Sequence, residues 1–328
     1  MKKILRSISV CFMVFSMLVG LVGCGSKAAK QVVIYTNADD EAVKAIKNTL
    51  NSEGFQGKYV VQALGTSELG GKLMAEGDEI EANLVTMSSY FIESAQKKNN
   101  MFQDLDFETK ALEKYPTYYT PILANTGAIF VNTKFIVDKD LAMPKSIKDL
   151  TKDEYSGLVS IPNIMNSSTA WLLIQSIISE YGEDEGRVIL SKLIKNCGPH
   201  IETSGSGPIK KVRVGEVAVG FGLRHQAVAD KLAGKPIDYI DPIEGNYSLT
   251  ESVAVVKKKD TATTKLAMDM AKVIATKARP ELIKYYPVIL YEGETVNDVN
   301  RPTNPKKFDT ALTVELLEKH QEFFKAAK

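Results

Sequence analysis

Short apolar runs alternate with amphipathic stretches along most of the chain. The first run, residues 31–35 (QVVIY), closes on Thr36-Asn37. Residues 39–50 follow, with Ala42, Val43, Ile46 and Leu50 on one helical face. Asp39, Asp40 and Glu41 stand where a helix N-terminus favours negative charge. A second strand is predicted over 58–64, and Gly65-Thr66-Ser67 opens a helix reaching Met74. A third strand over 82–87 ends at Ser88-Ser89. This β-α-β-α-β order predicts a mostly parallel sheet with helices on its faces.

The rhythm returns downstream. Strands are predicted over 127–132, 158–162, 217–221, 237–240 and 252–256. Helices are predicted over 169–179, 209–214, 222–232, 264–278 and 313–326. Strands repeatedly end in Ser, Thr or Asn just before a helix: Thr36-Asn37, Thr66-Ser67, Ser88-Ser89, Ser167-Ser168-Thr169 and Ser204-Gly205-Ser206. Each can act as an N-cap worth about 1 kcal/mol. Together they also suit a ligand, because open α/β sheets bind solutes beyond the carboxyl ends of their strands, against helix N-termini. Gly205 and Gly207 let the backbone approach closely.

The first two dozen residues follow another pattern. Lys2, Lys3 and Arg6 precede an apolar run over 8–22, the plan of a secretory signal over 1–23. The run is interrupted by Ser9, Ser16 and Gly20, which weakens it as a membrane span. Leu21-Val22-Gly23-Cys24 resembles a bacterial lipobox. That resemblance implies loss of Cys11 with the signal, lipidation of Cys24, and a flexible tether over 24–30. Cys197 would be the one free thiol, leaving no intramolecular disulfide.

Composition narrows the field. The 328 residues carry 41 Lys+Arg, 40 Asp+Glu and a net charge of +1. That balance excludes a disordered chain or a basic nucleic-acid binder. The three cations of the signal leave with it, so the mature chain is at −2. Attraction for an anion must then come from local groups.

From Pro144 to Lys257 the chain is similar to bacterial extracellular solute-binding proteins of ABC importers, in the branch containing ferric-iron and 2-aminoethylphosphonate binders. The motifs are Pro144-Lys145-Ser146-Ile147-Lys148-Asp149-Leu150 with Tyr155-Ser156-Gly157, Asn166-Ser167-Ser168-Thr169-Ala170, Gly182-Glu183-Asp184-Glu185-Gly186 and Leu193-Ile194-Lys195-Asn196. Thr203-Ser204-Gly205-Ser206-Gly207-Pro208, Gly215-Glu216-Val217-Ala218-Val219-Gly220 and Pro242-Ile243-Glu244-Gly245 continue the series. In the N-terminal part, Val33-Ile34-Tyr35-Thr36 and Asn125-Thr126-Gly127 agree with it.

The resemblance implies an α/β, two-lobe type II periplasmic-binding-protein fold with two crossover hinge strands, near 125–132 and 250–256. Lobe 1 would comprise 31–124 and 253–328, and lobe 2 would comprise 125–252. It further implies a small-molecule ligand captured by lobe closure and delivered to ABC permease subunits, a membrane-held monomer, and no cofactor. The ferric members continue past Gly220 with two adjacent tyrosines. Here Phe221-Gly222-Leu223-Arg224-His225-Gln226 stands instead, and Tyr118-Tyr119 and Tyr285-Tyr286 lie elsewhere. Arg224 and His225 suggest an anionic group on the ligand, and Glu244, Asp39 or Asp40 an opposed amine. The expected ligand contacts are Thr36, Asn37, Thr66, Ser67, Ser88, Ser89, Asn125, Thr126, Ser167, Ser168, Thr169, Ser204, Gly205, Ser206, Arg224, His225 and Glu244. A zwitterion such as 2-aminoethylphosphonate fits this pairing, and no resident metal is expected. A metal-ion receptor, ferric above all, is the alternative. A surface hydrolase is a further one, disfavoured because Ser204-Gly205-Ser206-Gly207 lacks the first Gly of a nucleophile elbow.

Overall fold

A computed structural model describes residues 31–328; the expected signal over 1–23, Cys24 and the tether lie outside the described residues. The first half begins with β1 (Val32–Thr36), α1 (Asp40–Leu50), β2 (Tyr59–Ala63), α2 (Thr66–Glu76), β3 (Leu84–Ser88) and α3 (Ser89–Asn99). Next come β4 (Tyr119–Asn132), α4 (Thr133–Asp138), β5 (Val159–Pro162), α5 (Thr169–Cys197), β6 (Ile201–Glu202) and α6 (Gly207–Arg213). Then β7 (Val219–Leu223), α7 (Arg224–Leu232), β8 (Ile237–Ile240) and β9 (Asn246–Val255) lead to α8 (Thr261–Val273), α9 (Arg279–Tyr285), β10 (Pro305–Lys306) and α10 (Val314–Ala326).

The strands form one mixed sheet in the order β2-β1-β3-β9-β4-β7-β5-β6, with β8 beside β4 and β10 beside β9. On one side β1 runs parallel to β2 and β3; on the other β5 runs parallel to β6 and β7. The parallel expectation holds within each side. The middle differs: β4 and β9 are antiparallel, paired from Tyr119 opposite Ala254 to Thr126 opposite Ser248 with a register shift between Pro121 and Leu123. β3 joins β9, and β7 joins β4, antiparallel as well. β4 and β9 are thus the two long strands shared by both sides, as expected of the crossover pair. All 14 residues of β4 are buried, because both its faces are covered and both its edges paired.

Helices cover the sheet for ordinary reasons. α1 buries Ala42, Ala45, Ile46 and Leu50, close to its predicted face. α5 buries Trp171, Leu172, Leu173, Ile174 and Ile177, then bends at Gly182, whose φ of 73° suits only a residue without Cβ. α8 and α9 pack beside α1, whereas α10 lies on α5. The Trp171 indole N–H needs a buried acceptor and donates to His320 Nδ1 of α10 at 2.6 Å. The same ring meets Tyr90 of α3 edge-on at 5.0 Å, tying the two sides into one core. Among the described residues no helix is long and apolar enough to cross a membrane.

Candidate functional site

A cleft of about 460 Å³ opens where the strand ends of the two sides face each other. One wall is the turn after β1 (Asn37 to Asp40) together with the start of α2 (Gly65 to Glu68). The other is Asn166 to Thr169 at the start of α5 and Thr203 to Ser206 before α6, with Lys210 one turn on. Leu123 and Asn125 of β4, Leu223 of β7, Glu251 of β9 and Tyr286 make the floor.

Local sequence chemistry builds the second wall. The Ser167 hydroxyl accepts from the Thr169 N–H at 3.3 Å, and the Gly207 N–H closes a turn on the Ser204 carbonyl at 3.2 Å. Gly205 sits against Thr169 so closely that a Cβ there would overlap the Thr169 side chain. Its absence lets the two hydroxyl-bearing loops share one surface. The N-terminus of α5 opens onto that surface and supplies a positive dipole end.

The floor and first wall are acidic. Glu251 is 4% exposed, and its Oε1 accepts from Asn37 Nδ2 at 3.4 Å and Asn125 Nδ2 at 3.2 Å. Burial, and then the Asp39 charge, push its carboxyl up to about 8. Asp39 is pushed up to about 6 by burial and by Glu41 and Asp40, against the Lys210 charge and the Ser206 hydroxyl. Asp40 and Glu68 add two more carboxylates, and Lys210 is the one cation lining the cleft among the described residues.

Of the expected contacts, the cleft gathers Asn37, Thr66, Ser67, Asn125, Ser167, Ser168, Thr169, Ser204, Gly205 and Ser206. The others point elsewhere. Thr36 accepts from the Ala38 N–H at 3.0 Å and from the Thr86 hydroxyl at 2.7 Å. Ser88 is fully buried beneath the floor, and Ser89 bonds the Thr250 carbonyl and the Ser252 hydroxyl. Thr126 bonds Ser248 across the β4–β9 pair.

The three charged or ionisable expectations have structural partners instead of a place in the cleft. Arg224, 3% exposed, forms a bidentate pair with Asp241 at 2.7 and 3.1 Å and donates to the Val299 and Arg301 carbonyls. Burial alone would raise Asp241, but Arg224 and Thr303 hold it below the usual carboxylate range. Glu244, fully buried, accepts from the Ile147 and Lys148 N–H groups and from the Tyr181 hydroxyl. His225 lies behind the floor with its ring 4.5 Å from that of Tyr286; desolvation, and then Arg213, push it down to about 3, so it is neutral.

Glu251, Tyr286 and Lys210 line the cleft and were not among the expected contacts. Glu251 had a signal: a carboxylate between Thr250 and Ser252, leading into the apolar run Val253 to Val256. A charge inside a buried strand is a functional candidate on its own. Lys210 lies four residues after Ser206, one helical turn into α6. Tyr286 carried no such signal. The pair Tyr285-Tyr286 does not stand where the ferric members carry their tyrosines, yet its second member lines the cleft.

Residues 80–308 match the family described as bacterial extracellular solute-binding protein. An uncharacterized protein of Haemophilus influenzae is 27% identical over 141 residues, 43% of this chain and 40% of that relative, so the match spans less than half of the relative's length. A periplasmic thiamin binding protein superposes with a TM-score of 0.73 at 17% identity, covering 94% of this chain and 98% of its own. AfuA from Actinobacillus pleuropneumoniae, a periplasmic binding protein with exogenous fructose-6-phosphate bound, gives 0.67 at 20% identity, covering 91% and 93%.

Proposed function

We propose, from the premise that this chain belongs to the bacterial extracellular solute-binding protein family, that its ligand is a small zwitterion bearing a phosphonate or phosphate and an amine. The chain is a substrate-binding protein of the ABC-importer type, not an enzyme, and it acts outside the cytoplasm. The division of charge across the cleft carries the ligand reading. Ser167, Ser168, Thr169, Ser204 and Ser206 offer hydroxyls at the α5 N-terminus, with Lys210 beside them. These suit phosphonate oxygens. Glu251 on the floor and Asp39, which faces the Ser206 hydroxyl and Lys210 from the first wall, suit a cation. 2-Aminoethylphosphonate has both ends and is the preferred candidate. Capture would proceed by closure of the two sides about β4 and β9. Acylation of Cys24 would hold the monomer at the membrane near its permease.

Titration calorimetry of the mature chain against 2-aminoethylphosphonate, inorganic phosphate and ferric citrate tests this. Tight binding of the phosphonate is expected. Heat with ferric citrate alone, accompanied by a visible tyrosinate charge-transfer band, would overturn it. That second reading has one observation behind it: Tyr286 brings a phenol to a cleft that already holds Asp39 and Glu251, and hard ferric ions favour anionic oxygens. Against it, burial and the nearby acids push the Tyr286 phenol far upward, resisting the tyrosinate that iron needs.

A further inference from the structure

Four buried side-chain oxygens lining the cleft lack a hydrogen-bond partner; the Tyr286 hydroxyl carries its own proton, and the other three, Glu251 Oε2, Asn125 Oδ1 and Asn37 Oδ1, remain as acceptors. They belong to one cluster, since both amides donate to the other oxygen of the same carboxylate. Glu251 and Asn125 are 4% and 8% exposed, so these are not groups left to bulk solvent. A buried acceptor without a donor is destabilising, and native proteins rarely keep several in one place without a use for them. The three acceptors come from β9, β4 and the turn after β1, which only the sheet brings together.

We propose that Glu251, Asn125 and Asn37 form a subsite for a primary ammonium group, and that Glu251 releases a proton to solvent when the ammonium arrives. The donor count supports the first part. A primary ammonium brings three N–H donors and no acceptor, matching three acceptors, whereas a water brings two donors. The surroundings support the second. Glu251 faces Asp39 from the start of α1, Tyr90 from α3 and Tyr286 from beyond α9. Both phenols are pushed upward and stay neutral, and Lys210 acts on Asp39 from across the cleft. With no cation against it, the Glu251 carboxyl holds its proton up to about pH 8. An incoming positive charge favours the carboxylate and lowers that value. One cation then replaces one proton, and the charge of the cluster is conserved.

The sign of the pH dependence follows. A ligand whose binding releases a proton binds more tightly as pH rises, by up to about tenfold per pH unit for one proton, until the free carboxyl itself ionises. The increase should run from about pH 6 to about pH 8 and flatten above, where the free Glu251 gives up its proton.

This subsite rests on the zwitterion reading for its placement but is tested separately. Calorimetry at pH 7 in two buffers of different ionisation enthalpy counts protons released by 2-aminoethylphosphonate, ethylphosphonate and ethylamine. The ammonium makes the phosphonate of 2-aminoethylphosphonate ionise at lower pH than that of ethylphosphonate, so the protons each free ligand carries at pH 7 are subtracted before the two counts are compared. The expected result is close to one extra proton with 2-aminoethylphosphonate and at least tenfold tighter binding than ethylphosphonate. In Glu251→Gln both differences should vanish while the thermal midpoint is kept. Equal affinity and equal proton count for the two phosphonates would overturn the subsite and leave the anion site standing. Proton-releasing binding of ethylamine without any phosphonate binding would uphold the subsite and overturn the anion site. No heat with any of the three would overturn both.

Discussion

The two ends of the cleft are built on opposite plans. The hydroxyl-bearing wall is local: each of its two loops is a run of four neighbouring residues ending at or near a helix start, and Gly205 lets them touch. The acidic end is assembled from Asn37, Asn125 and Glu251, which are far apart in sequence and meet only through the pairing of β4 with β9 and the turn after β1. On the proposed reading, the local wall offers donors in a repeating surface that would tolerate any tetrahedral anion. The assembled end offers a fixed number of acceptors in a buried place, and is therefore the end able to discriminate among ligands that share the anion.

Four substitutions would break or sharpen that contrast, ordered by their effect on ligand affinity. Gly205→Val forces a branched side chain into Thr169 and separates the two loops. Calorimetry should find 2-aminoethylphosphonate binding weakened more than a hundredfold, with ethylphosphonate affected equally. Asp39→Asn removes the largest charge acting on Glu251. It should weaken the amino compound about tenfold, leave ethylphosphonate no weaker because a carboxylate beside Ser206 and Lys210 is lost, and lower the pH at which Glu251 titrates by NMR. Ser204→Ala deletes one hydroxyl on an exposed position of the donor wall. Its loss should be about tenfold or less and the same for both phosphonates, within the range of about 0.5–1.5 kcal/mol for a typical hydrogen bond. Arg224→Ala should change either affinity less than threefold. Breaking its buried pair with Asp241 should instead lower stability by about 3–5 kcal/mol, read from urea unfolding. A selective effect of Ser204→Ala, or an equal effect of Asp39→Asn on both ligands, would erase the contrast.

The same contrast explains what the sequence made legible. Period-two and helical patterns located β1 to β3, β5, β8 and α1 within a few residues, and Ser-rich strand ends marked the donor wall, because those signals are carried by neighbours along the chain. α3 was signalled only at its start, by Ser88-Ser89, and its extent stayed unread: it buries Tyr90, Phe91 and Ile92 in succession and shows little periodicity. β4 read only as its last six residues, since Pro121 and Asn125 interrupt an otherwise apolar run, yet the strand continues through both. Arg224 and Glu244 show the limit most directly. A lone charge in a motif position reads as a ligand contact until its partner is known. The partners, Asp241 for one and the Ile147 and Lys148 amides for the other, reveal themselves only in three dimensions. Glu251 is the converse, a charge with acceptor capacity left over.

Asn125 and Glu251 also sit on the two strands that join the halves of the molecule, two positions from being directly opposite each other in the β4–β9 register. A sensor and the joint it reports on are usually separate parts linked by a transmission of some length. In the proposed subsite that length is zero: a bend or twist of the joint would move the acceptors themselves, and an ammonium seated on them would act on the joint without an intermediary. A substitution at either residue is therefore expected to change ligand choice and ease of bending together.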